Sequence, residues 1–145
     1  MSEPAEAVGT LQIALENALS MLSAKPDLAA EQATEILKVV PGQPNALLIQ
    51  GAARRALGDA AGALAVLVPL ADALPDWPAA QLELGHALGA SGRQDAAIRA
   101  LQRATQLLPD WSDAWRALGD QFTSNGDTEA ANAAYAHQIK ASVSN

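Results

Sequence analysis

PAAQLELGHALGASGRQDAAIRALQRATQLLPDW, residues 78–111, decides how the chain is read: it patterns as two helices joined by a short turn, and it recurs on either side of itself. Gly85 stands between Gly51 and Gly119, Ala97 between Ala63 and Ala131, and Pro109 follows Pro75 and Pro41, each step being 34 residues. A fixed period of that length marks a repeat array, in which one helix pair cannot bury its apolar face alone and stacks on its neighbours.

Outward from that stretch, the spacing predicts four helix pairs at about residues 10–43, 44–77, 78–111 and 112–142, within a single domain spanning 1–145. The first helix is expected from Pro4 to Leu22, with Leu11, Leu15, Ala18 and Leu22 recurring at three and four residues. Asp27 is expected to cap the second, which runs to Val40 before Pro41 and Gly42 stop it. Pro44 suits a first turn, because its missing N–H would be unpaired there. Gly58, Gly92 and Gly126 mark the turns inside the next three pairs, as positive φ there would require. Pro69 lies inside a helical pattern and predicts a bend. No Ser/Gly-rich linker or charge run divides the chain.

Composition agrees with helices. Half of the 145 residues are apolar but only 3% are aromatic, so the interior must be built mainly from Ala and Leu. A net charge of −7 repels a phosphate backbone, which excludes nucleic acid as a partner. There is no cysteine, hence no disulfide, thiolate ligand or thiol nucleophile. The opening MSEPAEAVGT lacks the basic and long apolar segments of a signal peptide, and no stretch approaches the ~20 apolar residues of a membrane span. A soluble, cytoplasmic chain without membrane contact is the expectation.

Trp115-x2-Leu118-Gly119-x2-Phe122, followed by Ala131-x3-Tyr135, resembles the tetratricopeptide repeat, with Phe in place of its first Tyr. The preceding units keep Leu84-Gly85, Ala97-x3-Leu101 and Pro109, and Gly51, Ala63-x3-Leu67 and Pro75. The N-terminal unit departs from the pattern, with Ile13 at the Trp place, Asn17 at the Gly place and Lys25-Pro26 around the turn. The resemblance implies an all-α fold, a right-handed α-α superhelix of four helix-turn-helix repeats, the first degenerate. The small residues at the Gly and Ala places would let paired helices approach closely. The bulkier Leu67, Leu101, Tyr135, Trp115 and Phe122 are expected to fill the space between neighbouring pairs.

The same resemblance implies a concave groove lined by the first helix of each pair. Carried over residue by residue, it is lined by Asn45, Leu48, Ile49, Ala52 and Arg55, then Ala79, Leu82, Glu83, His86 and Ala90, then Asp113, Arg116, Asp120 and Thr123. Leu48, Ile49 and Leu82 would form an apolar floor for an extended or helical peptide, and Arg55 and Arg116 could meet a ligand carboxylate. Chaperone-binding members of the family use a Lys, Asn and Arg clamp. The corresponding places here hold Leu48, Ala52, Leu82, His86 and Asp113, which argues against an EEVD-type tail.

Catalysis is not expected. His86 has Glu83 one turn before it, but no activated nucleophile or oxyanion arrangement accompanies it. His137 cannot complete a metal site with His86 by any known spacing, and GAARRALGDAAG lacks the GK[ST] ending of a phosphate loop. No cofactor is implied. Trp77 and Trp111, in matching links, are expected to pack over helix ends, and Arg99 and Arg103 to decorate the convex face. The last helix carries Ala130, Ala131, Ala133, Ala134, Ala136 and Ile139 without a polar cap, so an apolar face should remain for a further element or for a second copy, as in a two-fold homodimer. The chain therefore reads as a protein-interaction scaffold that binds a protein or peptide in the groove. Two alternatives stand beside it: an N-terminal regulatory or substrate-positioning module of a larger enzyme, such as those preceding bacterial sulfotransferase domains, and a self-associating structural unit.

Overall fold

The computed structural model describes residues 4–144. Among them are eight α-helices and no strand: α1 (Pro4–Met21), α2 (Pro26–Val39), α3 (Pro44–Ala56), α4 (Ala60–Ala73), α5 (Pro78–Ala90), α6 (Gln94–Leu107), α7 (Ser112–Ser124) and α8 (Thr128–Ser144). The chain divides into two compact units, Met1–Leu70 and Ala71–Asn145, with the boundary inside α4.

Alanine makes the first unit compact. Leu15 and Ala18 of α1, Ala29, Ala33 and Ile36 of α2, and Ala46, Ile49 and Ala53 of α3 form one buried cluster. Its five alanines are fully buried. A methyl group loses no rotamer freedom on burial and keeps helix axes close, so contact is gained at little entropic cost. In the second unit Ile98 and Leu101 of α6 meet Ala117 and Leu118 of α7 and Ala134 of α8, with Leu82, Trp115 and Phe122 packed around them.

Within each of the last three pairs the helices cross at a glycine; the first pair has Asn17 at that place. A Cβ placed on Gly51 would lie 2.5 Å from Leu67 Cγ, one on Gly85 2.5 Å from Leu101 Cγ, and one on Gly119 2.5 Å from Tyr135 Cε1. Carbon atoms at rest stand ~3.5–4.0 Å apart, so no side chain fits at these three places. Leu67, Leu101 and Tyr135 thus sit on the glycine of their own pair, and Leu101 also reaches Ala117 and Leu118 of the next pair.

The intra-pair turns share one chemistry. Gly58, Gly92 and Gly126 have φ of +84°, +78° and +80°. Each closes its helix in a Schellman arrangement: Asp59 N donates to Arg54 O at 2.8 Å, Arg93 N to Leu88 O at 2.9 Å and Asp127 N to Phe122 O at 2.9 Å. Two of these turns then open the next helix with the same residue. Gly62 N donates to Asp59 Oδ1 at 2.9 Å and Ala130 N to Asp127 Oδ1 at 3.1 Å, pairing helix-end donors that would otherwise lack a partner.

One local expectation is corrected. Asp27 lies in the first turn of α2, while Lys25 holds the cap position without a side-chain bond and Pro26 follows it. Proline fits there because its absent N–H is not missed, and Asp27 still faces the positive helix end. The helix after Pro44 is capped by Gln43, whose Oε1 accepts from Ala46 N at 2.7 Å. α4 carries Pro69 inside it and runs on to Ala73, close to the end that the helical pattern implied.

Gly85→Ala should destabilise the protein by about 1–3 kcal/mol in urea denaturation followed by far-UV circular dichroism. Combined with Leu101→Ala, which vacates the space, it should cost clearly less than the two single changes together; strict additivity would show that the crossing is not the cause.

Candidate functional site

The face implied by the first helices is divided between core and surface. On α3, Ile49 and Ala52 are each 4% exposed, and Ile49 belongs to the core cluster with Leu15 and Ile36. Both are removed from the expected lining, since their side chains are spent on packing. Leu48 and Arg55 are half-buried and Asn45 is exposed. On α5, Ala79, Leu82, Glu83 and His86 are half-buried and Ala90 is exposed, with Leu82 resting on the second unit's core. On α7, Asp113, Arg116, Asp120 and Thr123 are exposed.

α5 and α7 touch directly. Gly89 leaves room for the Gln121 amide, which a Cβ at that position would strike. Arg116 Nη2 lies 3.8 Å from Asp113 Oδ1, one turn away on α7. Such an exposed pair contributes little, ~0–1 kcal/mol, and gives way easily to another carboxylate.

Asp120 is held differently. The Tyr135 hydroxyl donates to Asp120 Oδ1 at 2.6 Å, Thr123 Oγ1 donates to Gly119 O at 2.9 Å, and the two hydroxyls stand 3.3 Å apart. The tyrosine ring reaches this place because Gly119 has no side chain. The bond to Asp120 raises the Tyr135 pKa above 10.0, since a phenolate would face the carboxylate it now serves as donor; Thr123 lowers it, and desolvation adds to the rise. One carboxylate on α7 is thereby fixed in direction while Asp113 is left loosely paired.

A second repeated bond joins two of the three links to the helix after them; in α3 the donor's place is held by Leu47. Gln81 Nε2 donates to Pro75 O at 3.1 Å and Trp115 Nε1 to Pro109 O at 2.7 Å, the donors and the acceptors each one 34-residue period apart. Gln81 thus does at the Trp place what the indole N–H does one repeat later, an equivalence invisible to a pattern that asks only for an aromatic. Trp115 also stacks on His137, ring centroids 4.2 Å apart and 15° from parallel. With Leu118 and Phe122 it floors a crevice of about 460 Å³ between α6 and α8. His137 is thus placed by packing. Arg103 pairs with Asp76 of the preceding link. Trp77 and Trp111 hold the cap positions of α5 and α7 in extended conformation, half-buried, without a side-chain cap bond.

Among the described residues no group of three His, Cys, Asp or Glu side chains could hold a metal ion. No helix there is long and apolar enough to cross a membrane.

Residues 78–120 match the family model of the tetratricopeptide repeat. The solved structures agree with the succession of helix pairs. A thermophilic tetratricopeptide repeat protein of Thermus thermophilus, TTC0263, matches with a TM-score of 0.82 at 20% identity, over 90% of this chain and 73% of its own. MamA from Desulfovibrio magneticus RS-1 matches at 0.79 and 21%, over 92% and 76%, and a further MamA structure at 0.76 and 17%, over 92% and 79%. The fold is the tetratricopeptide repeat fold. No curated protein sequence matches the chain. These likenesses establish the all-α, superhelical repeat class; they speak to the tetratricopeptide units and not to an appended sulfotransferase domain.

Because Tyr135 is the single tyrosine, its titration can be followed by the phenolate absorbance. The folded protein should ionise it above pH 10.0, and Asp120→Asn should bring the midpoint down. The sign follows from linkage: the folded state holds this proton more tightly than the unfolded state. The stability so gained is complete below pH 10 and is lost as pH rises through the folded value. An unmoved midpoint in the variant would refute the assigned bond.

Proposed function

We propose that the chain is a non-catalytic protein-interaction scaffold of the tetratricopeptide type, holding a peptide segment of a partner on the face of its first helices. The observation that carries this reading is the α5–α7 face of the second unit. There a half-buried apolar side chain, Leu82, is combined with a loosely paired cation, Arg116, and a directed carboxylate, Asp120. Apolar contact supplies affinity without direction, and the two charges supply the direction. A ligand carboxylate displaces Asp113 from Arg116 at small cost. A ligand N–H or ammonium finds Asp120 already oriented, so less freedom is lost on binding. Glu83 and His86 of α5 border the same face, and Asn45, Leu48 and Arg55 of α3 form the corresponding face of the first unit.

The similarity of the fold to MamA and TTC0263 supports a scaffold; the choice of face rests on the residues named here. The test begins with peptides selected from a random display library against the intact protein. Arg116→Ala and Asp120→Asn should each weaken the selected peptides about tenfold or more. Arg116 is exposed and loosely paired, so its replacement should move the melting temperature little, whereas Asp120→Asn weakens the acceptor of the Tyr135 hydroxyl and should lower it modestly without unfolding the protein. Peptides that bind both variants as well as the parent would place recognition elsewhere.

A further inference from the structure

We infer that copies of this chain associate head to tail, the outer face of α8 in one copy receiving the outer face of α1 in the next. The inference comes from comparing equivalent positions along the 34-residue period.

On α1, Ile13 and Leu19 are each 60% exposed. The place of Leu19 is held one and two repeats later by Ala53 and Ala87, both fully buried. The place of Ile13 is held by Leu47, Gln81 and Trp115, half-buried or buried. Where the face is covered within one unit, the cover is the second helix of the preceding pair: Ala53 of α3 clusters with Ala29, Ala33 and Ile36 of α2, and Leu118 of α7 with Ile98 and Leu101 of α6.

On α8 the converse holds. Ile139 is 65% exposed and Val143 82%. Thr105 occupies the place of Ile139 in α6 and is 5% exposed, and Leu37 occupies it in α2, packed on the first unit's core. The two bare faces are therefore the two halves of one interface, whose complete copies already exist between α2 and α3 and between α6 and α7.

The period also gives the register. Gln50 of α3 donates to Thr34 Oγ1 of α2 at 3.2 Å. The equivalents are Glu16 on the bare face of α1 and Ala136 on that of α8, one turn before Lys140. Glu16 and Lys140 are both exposed and opposite in charge, so the same register brings an acid to a base. Such a contact is heterologous: each copy uses two different faces, and addition does not stop at two. The net charge of −7 on every copy opposes it, so association strengthens as salt screens the repulsion.

Sedimentation of the full chain across a concentration series, at low and moderate salt, is the test. The expected result is a weight-average mass that rises above the 14.9 kDa monomer, continues past the dimer, and rises further with salt. Ile13→Glu and Ile139→Glu should each weaken self-association about tenfold or more while leaving the far-UV melting curve intact, because both residues are exposed. Mixed together, the two variants should form a one-to-one pair and stop there, since one keeps its α8 face and the other its α1 face. A strict monomer, a dimer that grows no further, or a mixture that fails to pair would each overturn the proposal.

Discussion

Everything in the structure depends on how closely the two helices of a pair can cross. At Gly51, Gly85 and Gly119 the second helix presses a Leu or Tyr side chain to a distance at which even a methyl group is excluded. Close packing at that point is what lets a chain with so few aromatic residues bury its apolar surface, because alanine and leucine fill little volume and the axes must come near to meet. The turns answer the same need. A Schellman closure at a positive-φ glycine reverses the chain in the fewest residues, and the aspartates that follow at two of the three turns start the return helix without leaving its first donors bare.

The links between pairs are bound by a different logic, in which the role is kept and the residue is not. A side-chain N–H reaches back to the carbonyl of the link proline, and Gln81 supplies it in one repeat, Trp115 in the next. The crevices over α3 and α7 diverge further. Around α2 and α3 the lining includes Thr34, Gln50 and Arg54; around α6 and α7 the equivalent places hold Gln102, Leu118 and Phe122. One backbone plan thus supports a polar floor and an apolar one, because the positions that set helix spacing are separate from those that line the surface.

Much of the fold was legible because backbone geometry leaves few choices. Gly58, Gly92 and Gly126 announce a turn that other residues adopt only with strain, and Gly51, Gly85 and Gly119 announce a crossing. The candidate face was less legible. A carried-over position says which way a helix surface points, but not how far the neighbouring helix rolls over it. Ile49 and Ala52 therefore fell on the buried side of an edge drawn from spacing alone. The Tyr135–Asp120 bond and the Trp115–His137 stack were hidden for another reason: each joins α7 to α8 across the turn, and no local pattern encodes that meeting.

The distribution of aromatic residues has a consequence for how this molecule will look in solution. Trp77, Trp111, Trp115, Phe122 and Tyr135 all lie in the second compact unit, and the first has none. Fluorescence and near-ultraviolet spectra are therefore blind to the alanine-rich half of the chain. Repeat arrays lose their units by increments rather than always at once. An optical unfolding curve would register the departure of the C-terminal pairs, while the N-terminal helices could open or persist in the dark, visible only to a probe of the backbone itself.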